Sequence, residues 1–187
     1  MKFTRQLISD VILIEPNLYG DDRGYFVETF KKDLFEKAIG YKVNFIQDNE
    51  SKSSKGVLRG LHYQLPPFSQ AKLIRVTKGN VLDVVVDIRK SSPTFGQYLS
   101  IELSEKNKKQ LFVPSGFAHG FVVLSNSATF VYKVDNLYSP EHERGIAFDD
   151  KDLAINWHLP IKEIKLSDKD KENPNFNDLK ILQNRQL

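Results

Sequence analysis

The stretch VLDVVVDIR, residues 81–89, decides the fold class because its side chains alternate between two kinds. In an extended strand one face is wholly apolar and the other mixes valine with charged residues. The apolar face consists of Leu82, Val84, Val86 and Ile88, and the mixed face of Val81, Asp83, Val85, Asp87 and Arg89. The pattern favours a small barrel in which the apolar face packs against other structure and the mixed face lines a wet pocket. The alternative is that the mixed face is exposed to solvent.

Short runs of β type are the dominant pattern along the chain. The predicted strands lie within residues 10–16, 26–30, 43–49, 56–64, 71–79, 80–89, 98–104, 109–114, 120–125 and 128–136. Gly, Pro, Ser and Asn separate them at nearly regular intervals, which is typical of a sandwich or barrel and not of alternating strands and helices. We therefore predict one all-β domain, a sandwich or a barrel, over residues 1–187.

Two helical additions are expected around this barrel. Asp33 and Glu36 have the spacing of a capping box, and Gly40 suits the left-handed end of a helix over residues 33–40. The charged, Asn-rich segment from residue 160 predicts a short helix, followed by a loosely held tail over about residues 171–187.

Composition excludes several classes of function. The chain of 187 residues can bury roughly 70% of its unfolded surface. It has no cysteine, which excludes disulfides, thiolate–metal sites and cysteine nucleophiles. A net charge of +3 gives no argument for nucleic-acid or membrane binding. The N-terminal apolar stretch is broken at Glu15 and is too short for a signal peptide or a membrane span, so we expect a cytoplasmic protein.

A metal site is not expected, although barrels of this class that bind metal commonly present His-x-His, a glutamate and a later histidine. Here the first pair is His62 and Gln64, and Lys72 stands where the carboxylate is expected. Only His119, in the stretch PSGFAH, remains of the later ligands. A divalent ion needs three or more N, O or S donors, and a lysine ammonium repels it.

Without a metal, His62 is a candidate general acid or base, since an imidazole titrates near neutral pH. The alternative is a hydrogen-bonded structural histidine. Its neighbours favour catalysis: Arg59, Lys72, Arg75, Arg23 and His119 would crowd positive charge around one cavity, which is unfavourable unless an anion binds there. Arginine matches phosphate oxygens, so we expect a phosphorylated or nucleotide-linked small molecule.

Aromatic residues complete this candidate site. Tyr132 shares a strand face with Phe130, and its phenol can donate a proton at neutral pH. The alternative is a buried tyrosine with a satisfied hydroxyl. Five further rings offer flat surfaces for a base or sugar, or ordinary core packing: Phe26, Tyr63, Phe68, Phe121 and Tyr138.

Five long stretches closely resemble the deoxythymidine-diphosphate (dTDP)-4-dehydrorhamnose 3,5-epimerases of the rhamnose pathway. They are DDRGYFVETF (21–30), QDNESKSSKGVLRGLHYQLPP (47–67), QAKLIRVTKGNVLDVVVDIRKSSPTFG (70–96), VPSGFAHGFVVLS (113–125) and YKVDNLYSPEHERGI (132–146). The resemblance covers nearly all of residues 1–170. It implies a cupin-type jelly roll that works without metal or other cofactor, usually as a homodimer, in polysaccharide synthesis.

The resemblance also implies a mechanism. The substrate would be a dTDP-4-keto-6-deoxy sugar whose carbons 3 and 5 flank the C4 ketone, so that loss of a proton from either gives an enolate. His62 is implied as the base, Tyr132 as the opposing acid and Lys72 as the cation beside the C4 oxygen. Asp170 is implied as the carboxylate that orients His62, although Asp168 lies two residues away.

Further positions are implied as substrate contacts. They are Arg23, Phe26, Glu28, Gln47, Asp48, Asn49, Arg59, Lys72, His119, Tyr138, Glu143 and Lys169. Arg23 and Arg59 suit the diphosphate, and Phe26 and Tyr138 suit a stacked ring. Asp83 is a weaker candidate that would support His62 or His119.

Three rival functions remain at this point. One is an epimerase of a single carbon, or a ketoisomerase, acting on a related sugar with much the same His and Tyr. The second is a nucleotide-sugar binding protein without catalysis, which would need no base opposite a phenol. The third is a metal-dependent oxygenase of the cupin class. An N-terminal strand bearing Arg23 and Glu28 is expected to pair across a dimer edge and to reach the other subunit's pocket.

Overall fold

Two antiparallel β-sheets face each other in the computed structural model, which describes residues 1–178. In chain order the strands are β1 (Lys2–Arg5), β2 (Ile12–Glu15), β3 (Leu18–Asp21), β4 (Gly24–Val27), β5 (Gln47–Ser54), β6 (Leu58–Gln64), β7 (Lys72–Lys78), β8 (Asn80–Asp87), β9 (Tyr98–Ser104), β10 (Gln110–Val113), β11 (Phe117–Val123), β12 (Ser127–Val134) and β13 (Glu143–Gly145). The first sheet has the order β1-β2-β10-β7-β12-β5, and the second has the order β13-β6-β11-β8-β9. Strands β3 and β4 form a separate hairpin. The predicted all-β jelly roll is confirmed.

The space between the two sheets holds the inner core. Both sheets contribute buried side chains to it, with Ile74 and Phe130 from the first sheet and Val85 and Phe121 from the second. This packing explains the sequence pattern of β8, because Val81 and Val85 lie in the inner core. The mixed face of β8 therefore points into the barrel and is not exposed to solvent.

The other face of the second sheet is also buried, which accounts for the wholly apolar face of β8. Leu82, Val84 and Val86 pack there in a second core with Trp157 and Phe176 from the C-terminal part of the chain. A strand that is buried on both faces reads as a nearly continuous apolar run.

Helix α1 (Lys32–Ile39) covers part of the first sheet through Phe35 and Ile39. Gly40 ends it in the left-handed conformation, with φ of 90°, as predicted. The predicted capping box is wrong. The helix begins one residue earlier than expected and Lys31 provides no side-chain cap, so Asp33 falls in the first turn, where a carboxylate complements the helix dipole. The Glu36 carboxylate instead accepts a hydrogen bond from the Val43 N–H.

The C-terminal part differs from the prediction of a loose tail. A 3₁₀ turn (Ile161–Glu163) and a four-residue helix α2 (Asp168–Lys171) are present, and the chain beyond α2 stays attached to the body. Phe176 is only 4% exposed, and its N–H donates to the buried Asp150 carboxylate over 2.7 Å. The prediction of loose attachment is therefore wrong for residues 171–178, and its remainder lies outside the described residues.

No helix within residues 1–178 has the length and apolar character needed to span a membrane.

Candidate active site

A cavity of about 300 Å³ opens between the two sheets. Its walls carry most of the chemically active side chains that the sequence predicts. They are Ser51, Arg59, His62, Lys72, His119, Phe121, Phe130, Tyr132, Tyr138, Glu143, Ser167, Lys169 and Asp170. Strands β6, β7, β11 and β12 contribute the deeper residues, and the segment around α2 contributes the last three.

His62 is held by the carboxylate of Asp170. The Nε2 atom of His62 lies 2.6 Å from Oδ1 of Asp170, and Asp170 is buried, whereas the His62 side chain keeps 28% of its surface exposed. An ionised carboxylate accepts, so Nε2 carries the proton and Nδ1 is left as the basic nitrogen. Burial raises the pKa of Asp170, but hydrogen bonds from His62 and Ser167 outweigh it, so this pKa is lowered overall. Asp168 is nearly fully exposed and pairs with Lys171 instead.

A second imidazole–carboxylate pair lies beside the first. His119 stands directly opposite His62 in the pairing of β11 with β6. Its Nε2 atom lies 2.9 and 3.0 Å from the two oxygens of the fully buried Asp83. Asp83 therefore supports His119 and not His62, and His119 lies within strand β11. Burial raises the pKa of Asp83, and this effect exceeds the opposing influence of His119 and Lys72.

Two glycines allow the strands that carry these histidines to approach closely. Gly60 has φ of 127°, and a β-carbon there would lie 2.5 Å from the Cα atom of Gly120. A β-carbon on Gly120 would in turn lie 2.8 Å from the Arg59 carbonyl oxygen. The ladder shifts register at this point, between His119 and Phe121. Any side chain at either position would force apart the strands that bring His62 and His119 together.

Lys72 points into the cavity without a partner. Residues 1–178 offer its ammonium no hydrogen bond or ion pair, although Asp83 and Glu143 act on it at longer range. Burial lowers the pKa of Lys72 to about 8, and these two carboxylates only partly oppose that effect. The cavity therefore holds a positive charge that is free to meet an anionic oxygen.

Tyr132 is likewise available for chemistry. Its ring lines the cavity beside Phe130, with ring centroids 5.9 Å apart, and no hydrogen bond to its hydroxyl occurs among the residues described. Burial raises the pKa of Tyr132, and nearby Arg59 only partly opposes this. The phenol is therefore protonated at neutral pH and can donate a proton.

At the mouth of the cavity, Glu143 joins two predicted contact residues. Its Oε2 atom accepts hydrogen bonds from the Tyr138 hydroxyl, at 2.7 Å, and from the Lys169 ammonium. Burial raises the pKa of Glu143, but the hydrogen bonds from Lys169 and Tyr138 lower this pKa by a larger amount. The net effect is a lowered pKa, so the carboxyl group is ionised. Arg59 is bonded through Nε to Ser53 Oγ at 3.1 Å, which leaves its terminal nitrogens for a ligand.

The floor of the cavity is aromatic. Phe121 and Phe130 are stacked with ring centroids 4.0 Å apart and an interplanar angle of 10°. The sequence indicated Phe121 and the face of Phe130, but it did not indicate Ser51 or Ser167 as lining residues. Ser51 could have been found because it pairs directly with Phe130 across β5 and β12. Ser167 could have been found from the capping pattern Ser-x-x-Asp, since its hydroxyl accepts from the Asp170 N–H.

Several predicted contact residues do not line this cavity. Asp48 lies on the outer face of β5, where it pairs with Lys133 at 2.8 Å. The Gln47 side-chain amide donates to Oδ1 of Asn49 at 2.7 Å. Arg75 points to the outer face of the first sheet, because strand alternation directs Lys72 and Ile74 inward. The prediction that Arg75 belongs to the cationic cluster is wrong.

The hairpin β3–β4 carries the remaining predicted contacts away from the cavity. Arg23 occupies its turn and pairs with Asp21 at 2.5 Å, and Phe26 is 64% exposed. Glu28 follows the hairpin and is exposed. Of the other predicted stacking rings, Tyr63 packs in the second core, and Phe68 packs against His142 with ring centroids 4.6 Å apart.

The donor set does not form a metal centre. Within the described part of the chain, no group of three or more His, Asp or Glu side chains is placed to hold a metal ion. The Gln64 amide nitrogen donates to the carbonyl oxygens of Phe68 and Leu137, so Gln64 is engaged in holding a loop.

Comparison with known proteins identifies the family of this chain. The family model for dTDP-4-dehydrorhamnose 3,5-epimerase matches residues 5–178. An enzyme of that name from Shigella flexneri is 54% identical over 95% of this chain and 97% of its own length. The crystal structure of such an epimerase from Elizabethkingia anophelis has a TM-score of 0.92 and 49% identity, covering 95% of this chain and 97% of the other.

A third relative was solved with a ligand. The 3,5-epimerase of Legionella pneumophila, in complex with dTDP-4-keto-L-rhamnose, has a TM-score of 0.90 and 47% identity, covering 94% of this chain and 93% of that one. Because the family model matches residues 5–178 and the relatives share both sequence and fold, the chain belongs to the dTDP-4-dehydrorhamnose 3,5-epimerase family.

Proposed function

We propose that His62, Lys72 and Tyr132 carry out the reaction of the family, the inversion of C3 and C5 of dTDP-4-dehydro-6-deoxy-D-glucose to give dTDP-4-dehydro-L-rhamnose. One observation carries this assignment. A single cavity holds an imidazole fixed by a carboxylate, an ammonium without a partner, and a phenol without a partner among residues 1–178.

The first step is removal of a proton by Nδ1 of His62 from the carbon beside the C4 ketone. The electrons of the broken C–H bond move into the carbonyl group, so the C4 oxygen becomes an enolate oxygen. Asp170 fixes the tautomer of His62 and stabilises the imidazolium that forms, because its carboxylate is bonded to Nε2 over 2.6 Å. The Lys72 ammonium stabilises the new negative charge on oxygen.

The second step is return of a proton from the opposite face of the sugar. Tyr132 lies on β12 of the first sheet and His62 on β6 of the second, so the two groups approach a ligand between the sheets from different sides. The phenol gives its proton to carbon as the enolate collapses to the ketone, and this inverts the carbon. Proton exchange with water then returns His62 to its neutral form and Tyr132 to its protonated form before the second carbon reacts.

The energetics divide between two effects. General acid–base catalysis of this kind contributes roughly 10²–10⁴-fold. One preorganised donor at a developing oxyanion contributes about 10²–10³-fold, which is the share we assign to Lys72. No step transfers electrons to an external acceptor, so the scheme requires no cofactor.

Charged groups at the mouth of the cavity suit the nucleotide. Arg59 has free terminal nitrogens for the diphosphate, and Tyr138 and Glu143 lie where a base would enter. A charged hydrogen bond of this kind contributes about 1.5–3 kcal/mol. We propose that the whole chain serves this activity as one domain, that it acts in the cytoplasm, and that its product supplies polysaccharide synthesis.

A second copy of the chain is proposed to complete the site. The β3–β4 hairpin has four residues in each strand and exposes Leu18, Tyr19, Tyr25 and Phe26, each by more than half. An isolated two-stranded hairpin is marginally stable at best in water, and a cluster of exposed rings favours burial against a partner. We propose a homodimer in which Arg23 and Phe26 of one subunit reach the other subunit's cavity.

Deuterium labelling tests the reaction. In deuterated water we expect label at both C3 and C5 of the keto-sugar, because each carbon exchanges its proton during inversion. The H62N variant should lose exchange while it still binds dTDP, and H158N, at an exposed histidine, serves as control. Label at one carbon only would support the single-carbon epimerase. Exchange that persists in H62N would refute the assigned base.

The pH dependence tests Lys72. Its ammonium is the active form, which is present at low pH and is lost as the pH rises through about 8, so kcat/KM should fall above that pH. The pKa of Tyr132 is raised above its ordinary value, which places any loss of its proton at higher pH. K72M should lower kcat roughly 10²–10³-fold. It should also remove the alkaline limb of the pH profile, which is the fall in kcat/KM as the pH rises through about 8.

Lys78, an exposed residue at the end of the same strand, provides the matched control K78M. It should retain both the rate and the alkaline limb. An unchanged limb in K72M would show that another group causes it and would remove Lys72 from the scheme.

Mixing of inactive variants tests the shared site. R23A and H62N homodimers should both be impaired, but mixed dimers contain one cavity with both native residues, so about a quarter of wild-type activity should return after random assortment. A mixture of K72M and H62N should stay inactive, since both residues lie in the cavity of the same chain. Equal failure of the two mixtures would contradict a cavity shared between subunits.

A further inference from the structure

Asp170 is separated from His62 by 108 residues along the chain, and the helix that carries it has only four residues. A helix of this length is not stable by itself, so contacts on either side of it must fix its position. On the N-terminal side, Lys165 pairs with the start of the second sheet: its N–H donates to Gly56 and its carbonyl oxygen accepts from Leu58.

On the C-terminal side, residues 173–178 form a strap across the outer face of the second sheet. Asn173 lies against Gly145, where a β-carbon would come within 2.1 Å of its side-chain oxygen. Gly145 is the residue that pairs with His62 in the β13–β6 ladder. The Ala147 N–H then donates to the Pro174 carbonyl oxygen over 2.8 Å. The strap is therefore fitted to the same short strand that neighbours the base.

Two buried groups hold the far end of this strap. The Phe176 ring is 4% exposed and lies 5.2 Å from the Phe95 ring, centroid to centroid. The Phe176 N–H donates to Oδ2 of Asp150, which is 3% exposed. Oδ1 of Asp150 accepts from the N–H groups of Asp152 and Leu153, at 2.9 and 2.8 Å. One oxygen of the Asp150 carboxylate therefore bonds the strap, and the other bonds residues 152 and 153, so that Asp150 links the two segments.

We propose that Asp150 and Phe176 are positioning residues for the catalytic base. By holding the strap they keep α2 in place and keep the Asp170 carboxylate on Nε2 of His62. This inference rests on the proposed role of His62 and extends it to residues outside the cavity. A misplacement of about 1 Å by a remote substitution can cost as much as 10²-fold in rate.

The D150N variant separates positioning from general stability. Asparagine keeps an oxygen for Asp152 and Leu153 but places an N–H₂ group opposite the Phe176 N–H, so the strap is released while the local turn is preserved. We expect kcat to fall roughly 10–100-fold with KM little changed, because no side chain in the cavity is altered.

Proton NMR gives a readout that a purely structural role would not change. An imidazole N–H bonded to a carboxylate resonates far downfield, and residues 1–178 contain two such pairs, His62–Asp170 and His119–Asp83. In D150N the His62 signal, assigned by its loss in H62N, should weaken or disappear. The His119 signal should persist as an internal control, because Asp83 lies on β8 and does not depend on the strap.

Glu36 offers a matched control, since its carboxylate also accepts a backbone N–H from beyond its own helix, that of Val43, on the first sheet's outer face. E36Q should keep kcat and both signals. F176L provides a second way to loosen the strap if D150N folds poorly. F35L, at the buried ring that helix α1 packs on the first sheet, is its control.

Folded D150N or F176L with unchanged kcat and an unchanged His62 signal would overturn the positioning role. That result is distinguishable from failure of the proposed function. If H62N abolishes exchange while D150N is fully active, only the strap inference fails, whereas exchange retained in H62N removes the base itself.

Discussion

The proposed chemistry depends on a positive charge that the protein leaves unpaired in a cavity. Lys72 has no hydrogen-bonding partner within residues 1–178, and burial already lowers its pKa to about 8. An isolated buried cation is costly, and an anionic oxygen beside it recovers that cost. The enolate is such an anion, whereas the ketone is not, so Lys72 favours the reacting state over the bound substrate.

The barrel supplies the remaining constraints through strand alternation. Strands buried on both faces can direct every second residue inward while the outer residues pack under α1 or the C-terminal strap. Close approach at Gly60 and Gly120 places His62 opposite His119, and each imidazole receives its own carboxylate. Asp83 lies on the adjacent strand β8 and is therefore part of the sheet. Asp170 lies on helix α2, outside the sheet.

Much of this arrangement could be predicted from residues 81–89 and their counterparts, because the period of two along a strand determines which side chains face inward. The inward positions of His62 and Tyr132 follow from it, and the same rule could have excluded Arg75. Contacts between distant segments could not be predicted from the residues alone, and Asp170 is preferred to Asp168 only through the family resemblance. The first turn of α1, the choice of Asp170 over Asp168 and the attachment of Phe176 all depend on tertiary packing. The exposed rings of the β3–β4 hairpin are what lead us to propose a second subunit, and a single chain gives no contact from which that could be predicted.

The central claim is that a fixed ammonium, and not a bound metal ion, stabilises the enolate. The most direct test is to measure the metal content of the purified enzyme together with its initial rate before and after exhaustive treatment with a chelator. The account predicts substoichiometric metal and an unchanged rate. Stoichiometric zinc, iron or manganese, with activity lost on removal and regained on addition of the ion, would contradict it.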